Sequence, residues 1–447
     1  MSKNHEQDEK TLARIAEFAC DRAKKKGAQG ASAAVSLKNS FRIMIRDGKQ
    51  EELTASTGRK LNLSIYVDGR YGSHATSVLG EKDLGTFIDD AVEMTRVLMP
   101  DKYRALPDPK YYAGRSQADL HLYDPGRDKL TIADRKERAM KLHDAASRGA
   151  GKQVLSVGAS VGDSKILWVL RTTNGFSDSQ RKTDFWQYGS VTAKDPSGQR
   201  PSDWSYDRNR AQIGLGVPKT IGEDAARRTL AQIGTGPIPS TTLPLIIENR
   251  AVGRILGRLL SPLYGRQIDQ KRSCFDEYLG KSIANKRLTI TDDPFFPGGW
   301  GSRRFDGEGL TAKKRILIQD GVLKTFYLDN YYATKLAKTP TTGSPSNLVF
   351  SLGKHDLDAL CRRAGKAILV TGFLGGNSNS TTGDFSHGIA GFLIEGGKRG
   401  RPIAAMNIAG NHKTFWKGLV EVGNDPYKTS SKRTPSLLFS PIVIAGK

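Results

Sequence analysis

Hydrophobic residues recur at two different spacings in the first half of the chain. Over residues 8–26, positions such as Leu12, Ile15 and Ala19 follow the spacing of an amphipathic helix. Over residues 41–67, apolar positions alternate with polar ones, which is typical of half-buried strands. Continued along this half, the patterns predict helices over 8–26, 81–98, 132–148 and 223–232, and later strands over 154–161, 166–173 and 185–191.

Glycine and proline mark where these elements should end. The pairs Asp47-Gly48 and Asp68-Gly69 have the composition of two-residue hairpin turns, because both residue types tolerate positive φ. A Gly/Pro cluster over 234–239 instead predicts a domain boundary. We therefore divide the chain into an N-terminal part, 1–235, and a C-terminal part, 236–447.

The C-terminal part has a different pattern. One predicted helix, Asn249–Leu260, stands almost alone there, and strands with Gly-rich turns dominate from Leu288 onward. The predicted fold class is α+β. It combines an N-terminal α+β domain, with an antiparallel sheet and flanking helices, and a mostly β C-terminal domain of antiparallel sheets or a barrel-like arrangement.

Composition bears on the compartment. The chain has no run of about 18 apolar residues, which a membrane helix needs. Residues 1–10 are polar and lack the apolar segment of a signal peptide. The three cysteines, Cys20, Cys274 and Cys361, are scattered and show no zinc-ribbon spacing, so free thiols are expected. We expect a cytoplasmic protein with no membrane partner.

The net charge is unusual. Sixty-nine Lys and Arg against 46 Asp and Glu give a formal charge of +23. Such an excess favours acidic partners or polyanions, although a surface adapted for solubility has the same composition. A basic protein associated with nucleic acid is one alternative. No helix-turn-helix, RNP or zinc-finger pattern supports it, so we do not expect nucleic acid as a partner.

Short motifs follow one another in a fixed order over about 400 residues. They lie at 67–72, 292–294, 298–302, 305–309, 319–323, 375–379, 382–386, 391–395 and 422–425. In kind and order this series resembles the TldD/PmbA family, also called modulator of gyrase. The resemblance covers most of the chain, and it implies both a fold and a type of activity.

The family resemblance gives a meaning to the start of the predicted helix at 249. The catalytic TldD-like branch carries a His-Glu-x-x-x-His metal motif at this place, where this chain has Asn249, Arg250 and Arg254. Imidazoles bind zinc, and a carboxylate can act as general base, whereas a guanidinium offers only donors and a fixed positive charge. The resemblance therefore implies a PmbA/TldE-type, non-catalytic subunit with no metal or cofactor of its own.

The same resemblance implies partners. A TldD-like catalytic subunit would carry zinc and form a heterodimer with this chain, and a homodimer is the alternative when that partner is missing. The substrate would be an unfolded peptide or peptide precursor, held in a chamber that this chain helps to enclose. Residues implied as possible substrate or partner contacts are Arg258, Asn377, Asn379, Thr382, Asp384 and Phe385.

Two interpretations of the arginines on the predicted helix stay open. Arg250, Arg254 and Arg258 are spaced at i, i+4 and i+8, so they share one face. That face is either solvated, or it is a basic strip that lines the chamber and meets carboxylates of the peptide or of the partner.

A stand-alone hydrolase with a different site is the enzymatic alternative. His387 with Asp384, or His412 near Asn411, could contribute to such a site, although an ordinary core or surface histidine has the same appearance in sequence. No Gly-x-Ser-x-Gly elbow is present. Ser386 precedes His387 directly, and neighbouring side chains on a strand point to opposite faces, so the two make a poor nucleophile–base pair.

Overall fold

The computed structural model describes residues 3–446. Met1 and Ser2, which begin the polar N-terminal segment, lie outside the described residues, as does Lys447. One six-stranded antiparallel sheet organises the first half, in the spatial order third, second, first, fourth, fifth and sixth strand. Its strands are β1 (Gly30–Arg46), β2 (Lys49–Val67), β3 (Arg70–Thr76), β4 (Val154–Thr172), β5 (Ser177–Ala193) and β6 (Ser202–Asn209).

The two predicted Asp-Gly hairpins are confirmed. Strands β1 and β2 meet across Asp47-Gly48, and β2 and β3 meet across Asp68-Gly69. All four turn residues have positive φ, the conformation that a two-residue turn requires there.

The prediction of two separate strands over 154–161 and 166–173 was wrong, because β4 runs through both ranges as one strand. Polar Asp163 interrupts the apolar pattern between them. Its carboxylate is nevertheless buried in the sheet, where Arg127 and Arg135 form ion pairs with it at 2.7 and 2.5 Å. Burial of a charge is tolerable when it is paired in this way, so the strand continues.

Four helices cover one face of this sheet. Many odd-numbered apolar residues of the strands, including Val35, Ile43 and Leu63, are fully buried beneath them. The helix predicted over 223–232 begins earlier, at Pro218, since proline is favoured in a first helical turn. The helices are α1 (Lys3–Lys25), α2 (Glu81–Arg96), α3 (Ile132–Ala150) and α4 (Pro218–Leu230).

The second half is rich in strands, and its helices are short. The helix at 249–260 was predicted to stand almost alone, and this was wrong, because four shorter helices follow it. The helices are α5 (Asn249–Leu260), α6 (Gly265–Asp269), α7 (Asn330–Lys335), α8 (Leu357–Ala364) and α9 (His412–Phe415). The longer strands are β7 (Thr241–Ile247), β8 (Ile290–Asp293), β9 (Arg315–Gln319), β11 (Asn347–Phe350), β12 (Ala367–Phe373), β14 (Asp384–Glu395), β15 (Lys398–Asn411), β16 (Leu419–Val422) and β18 (Leu437–Ala445), with two-residue strands β10 (Val322–Leu323), β13 (Asn377–Ser378) and β17 (Lys432–Arg433) between them.

These strands form two sheets around one large core. In the larger sheet β12, β7, β18, β15 and β14 are neighbours in that order, and β14 also pairs with β12, so the strands close into a ring. Among the strands described within residues 3–446, β7 pairs with β12 and β11 pairs with β17 in parallel, and the other strand pairs are antiparallel. Helix α5 packs into the core shared by the two sheets, together with Trp416 and Phe439. The predicted α+β class and the mostly β second half are confirmed.

The two halves meet on the helix-free face of the first sheet. Phe305 of the second half stacks on Trp168 of β4, with ring centroids 5.3 Å apart, and also contacts Phe176. Arg208 and Arg210 lie over the ring of Trp300. The predicted boundary at 235 lies between α4 and β7. Among residues 3–446 no helix is long and apolar enough to cross a membrane.

Candidate functional site

Helix α5 follows directly on the buried strand β7, as the apolar pattern predicts. Its apolar residues recur at helical spacing and are almost fully buried against the C-terminal core. They are Ala251, Val252, Ile255, Leu256, Leu259 and Leu260. The opposite side of the helix carries Gly253, Arg254, Gly257 and Arg258, so this is the side on which any functional group of α5 must act.

Asn249, the first residue of α5, is held by the loop between β16 and β18. Its side-chain amide donates to the carbonyl oxygen of Asp425 at 2.7 Å, and its backbone N–H donates to Ser436 Oγ at 3.0 Å. The hydroxyl of Thr434 donates to the Asn249 carbonyl at 2.8 Å. This side chain therefore fixes the start of the helix.

Arg250 is buried in a cluster of charges that joins the two halves. Its guanidinium donates to Asp203 Oδ1 at 2.7 Å and to the Trp204 carbonyl at 2.9 Å, and its Nε lies 3.4 Å from Glu248 Oε2. Arg228 of α4 completes the cluster through a 2.7 Å hydrogen bond to Glu248. The side chain of Arg250 is only 11% exposed, and that of Glu248 is 4% exposed.

The prediction that Arg250 shares an open face with the next two arginines was therefore wrong. Helical spacing does put the three side chains on neighbouring turns, but the first half of the protein covers the first turn. Arg254 is exposed and Arg258 is half-buried. Within residues 3–446 neither of them makes a hydrogen bond or an ion pair. The strip thus consists of two cations.

Two buried histidines lie near these cations. The indole N–H of Trp416 donates to His412 Nδ1 at 3.2 Å, and His412 Nε2 lies 3.2 Å from Ser378 Oγ, so the ring is held as a neutral tautomer. Burial lowers the pKa of His412 to about 4, and the charges of His387 and Arg258 act in the same direction.

His387 lies on the other side of Phe385 in the same cluster. Phe385 stacks on His387 with centroids 5.6 Å apart and packs on His412 at 4.9 Å. Burial lowers the pKa of His387, and Arg254 and Arg258 lower it further. Its Nδ1 lies 3.3 Å from the Gly375 carbonyl, whereas its buried Nε2 has no hydrogen-bond partner among the described residues.

The residues implied as chamber contacts separate into two groups. Asn377, Asn379, Thr382 and Asp384 are exposed on β13 and the turn that leads into β14, so they are accessible. Phe385 is only 4% exposed and belongs to the core, which is inconsistent with a direct contact to a peptide. It is buried because strand alternation turns it inward beside exposed Asp384 and Ser386.

The donor set does not fit a metal ion. The amide of Asn249 is engaged by the backbone of Asp425, and Arg250 and Arg254 bring positive charge to the place where the resemblance puts ligands. In the described part of the chain no three His, Cys, Asp or Glu side chains are grouped so that they could hold a metal. Ser386 is exposed and His387 is buried, so they do point to opposite faces as predicted.

The residues that contact Arg250 and Gly253 were not predicted from the sequence. Glu248 directly precedes the helix, and its place beside Arg250 was a usable signal for an ion pair. Asp203, Trp204 and Arg228 lie 20 or more positions away in sequence, and no local pattern connects them to α5. Lys432, whose Nζ lies 3.4 Å from the Gly253 carbonyl, was likewise unforeseen.

Comparison with known proteins places the chain in a family. Residues 126–233 match the PmbA/TldA metallopeptidase central domain, and residues 240–446 match the C-terminal domain of the same name. Metalloprotease PmbA of Escherichia coli O157:H7 is 27% identical over 420 residues, which are 94% of this chain and 92% of that protein.

Solved structures show the same fold. A candidate modulator of DNA gyrase from Bacteroides thetaiotaomicron is 37% identical with a TM-score of 0.94, over 97% of this chain and 98% of that one. TldE from Thermococcus kodakarensis is 22% identical with a TM-score of 0.85, over 97% and 100% of the two chains, which shows a shared fold. The chain therefore belongs to the TldD/PmbA family of metallopeptidase-type proteins.

Proposed function

We propose that this chain is the non-catalytic, PmbA/TldE-type subunit of a heteromeric zinc metallopeptidase that acts on unfolded peptides or peptide precursors. The proposal rests on the contacts that the side chains in the first turn of α5 make. Asn249 and Arg250, which stand at the first two positions of the catalytic motif, are both engaged in structural contacts.

The chemistry of the first turn supports this assignment. A zinc-bound water needs a nearby base, and zinc needs neutral imidazole or anionic ligands. Arg250 is instead enclosed by two carboxylates, and the charge of Arg254 would oppose a dication. In the proposed complex a TldD-like partner supplies zinc, ligands and base.

The contribution of this subunit is to enclose and position the peptide. The exposed residues of the 377–384 segment and the cations of α5 are its candidate contacts. The strand-rich C-terminal half is the proposed interface with the partner, and a homodimer forms when the partner is absent. We place the complex in the cytoplasm.

Metal analysis and a peptidase assay test the proposal. The purified chain is measured alone, the TldD-like protein of the same genome is measured alone, and the two are then measured together. We expect no stoichiometric zinc and no cleavage of an unfolded peptide for this chain alone, and activity that depends on zinc for the mixture. About one tightly bound zinc per isolated chain, or activity without the partner, would refute the proposal.

Restoring the motif should not restore a metal site. The triple substitution Asn249→His, Arg250→Glu and Arg254→His is expected to bind no stoichiometric zinc. The new glutamate would face Glu248 and Asp203, and repulsion between these carboxylates would disturb the helical turn that has to orient the imidazoles. Elemental analysis and zinc titration check this, with the parent chain as control. Tight binding of one zinc would show that these three side chains alone account for the loss of the site.

The assembly can be measured directly. Size-exclusion chromatography with light scattering should show a heterodimer at micromolar concentration when the TldD-like protein is added. A chain that stays monomeric beside its partner, under conditions in which the partner is folded, would contradict the proposed interface.

A further inference from the structure

The exposed side of α5 carries positive charge that the protein leaves uncompensated. Some cations close to the protein interior are held in ion pairs, as Arg135 is with Asp163 and Arg228 is with Glu248. Arg254 and Arg258, one helical turn apart, have no such partner within residues 3–446. Half-buried Arg258 has lost part of its hydration without gaining an acceptor, which is unfavourable unless something else supplies one.

Two glycines make this side of the helix flat. Gly253 and Gly257 lie one turn apart beside the two arginines, although glycine within a helix costs about 1 kcal/mol relative to alanine. A Cβ added at Gly253 would meet no atom within 4 Å, so the space above it is open. A Cβ at Gly257 would come within 3.0 Å of Lys432 Nζ, which lies along the helix as a third cation.

The histidine cluster beneath adds no negative charge. His412 is held neutral by Trp416 and Ser378, and the charged groups that act on His387 and His412 are cationic. His387 Nε2 is buried and unsatisfied, a condition that is rare unless a ligand or water completes it. The histidine cluster therefore supplies no negative charge that could compensate Arg254 and Arg258.

We propose that the exposed side of α5 is a carboxylate-binding site for an extended peptide, which crosses the helix over Gly253 and places an acidic side chain between Arg254 and Arg258. The proposal rests on the proposed function as a peptide-handling subunit and names its substrate class, peptides with Asp or Glu. A guanidinium pair suits this ligand, because each group offers several donors to a carboxylate in a fixed geometry. The absence of Cβ at Gly253 lets the peptide backbone approach the helix closely.

Peptide binding to the isolated chain tests the charge component. Fluorescence anisotropy is measured with a short labelled peptide of alternating Ser and Glu with an amidated C-terminus, and with its Gln counterpart. We expect the Glu peptide to bind about tenfold more tightly at low salt. The double variant Arg254→Gln, Arg258→Gln should remove most of that difference, since two partly exposed ion pairs contribute about this much.

The matched control variant removes two positive charges from β2 instead of from α5. Arg59 and Lys60 are exposed on β2, and the double variant Arg59→Gln, Lys60→Gln lowers the net charge equally. We expect it to bind the Glu peptide like the parent. If both double variants lose binding to the same extent, the effect reflects overall charge and the site is refuted.

A steric pair of variants tests the path of the peptide. Gly253→Leu fills the open space above the helix and should weaken binding of the Glu peptide at least about fivefold, which corresponds to about 1 kcal/mol. Gly253→Ala, which adds only a Cβ, should weaken binding less than Gly253→Leu does. Unchanged binding by Gly253→Leu would refute a peptide that crosses the helix at this point.

The source of the carboxylate is distinguished in the same assay. A Gln peptide with a free C-terminal carboxylate separates a terminal from a side-chain carboxylate, and inorganic phosphate as competitor tests for a general anion site. Tighter binding of the free-terminus Gln peptide than of the amidated Glu peptide would overturn the assignment to acidic side chains, and so would full displacement by phosphate at micromolar concentration. None of these measurements involves zinc or the partner, so their failure would leave the proposed subunit role to be decided by the metal and peptidase assays.

Discussion

The three arginines of helix α5 lie in two opposite environments. Arg250, in the first turn of α5, is enclosed by Asp203, Glu248 and the ring of Trp204. Arg254 and Arg258, on the next two turns, have no partner in the described residues. The residue type and the spacing are the same, so the difference comes from what the rest of the fold brings to each turn.

The comparison separates architecture from function on a single helix. The first turn lies against β6 and α4, where the guanidinium of Arg250 makes a contact that joins the two halves. Arg254 and Arg258, on the later turns, form no ion pair within residues 3–446, which leaves their positive charge available for a ligand. One helix can therefore hold an arginine with a structural role on its first turn and, as we propose, two arginines with a binding role on its later turns.

The largest expected effect comes from removing the ion pairs of Arg250. Arg250→Ala should lower the free energy of unfolding by about 3–5 kcal/mol, because it leaves Asp203 and Glu248 buried with fewer cations. Arg254→Ala should change it by less than about 0.5 kcal/mol, since an exposed side chain with no partner is lost. Urea denaturation of both variants and the parent measures the difference. Equal stability of the two variants would show that the ion-pair cluster contributes nothing specific.

Much of the fold could be predicted from local chemistry. The Asp47-Gly48 and Asp68-Gly69 turns were predicted because turn conformation depends on the turn residues themselves, and α5 was predicted with the bounds Asn249–Leu260 because its apolar spacing is regular. The short helices were missed because each spans eight residues or fewer. The N-cap of α8 was visible at Asp356, whose carboxylate accepts from Ala359 N–H at 2.8 Å.

The failures have a different origin. Strand β4 was divided in two because Asp163 is polar, and its partners Arg127 and Arg135 come from elsewhere in the chain. The same limitation applies to the site. Glu248 beside Arg250 is a local signal for an ion pair, but no residue near Arg250 in sequence indicates its contacts with Asp203 and Trp204. Contacts that depend on tertiary structure decided both cases.

A second prediction extends the comparison to Glu308. Its carboxylate is half-buried and, unlike that of Glu248, makes no ion pair in the described residues. Burial raises the pKa of Glu308 to about 8, and Asp306 and Asp329 contribute in the same direction, while the Asn330 N–H that it accepts at 2.9 Å opposes the shift. The folded state therefore holds a proton that the unfolded chain releases near pH 4.5. Stability from this group is fully present below that pH and is lost as the pH rises towards 8.

The variant Glu308→Gln removes this titration. Relative to the variant, the parent should lose about 3–4 kcal/mol of stability between pH 5 and pH 8, and the two should stay parallel above about pH 9. Urea denaturation at several pH values measures the loss, and Glu81→Gln, an exposed position at the start of α2, is the control. A parent and variant that keep a constant difference across this range would show that Glu308 ionises normally.

The smallest expected effects come from replacing the two glycines beside the arginines with alanine. Gly253→Ala should raise the free energy of unfolding by about 0.5–1 kcal/mol, because alanine has the higher helix propensity and its Cβ enters open space. Gly257→Ala should gain less or nothing, since its Cβ would lie 3.0 Å from Lys432 Nζ and would disturb the hydrogen bond of that group to the Gly253 carbonyl. Urea midpoints of the two variants, measured beside the parent, resolve the difference. If Gly253→Ala is destabilising, the space above the helix is not open, and the path proposed for an acidic peptide across α5 is lost together with the stability gain.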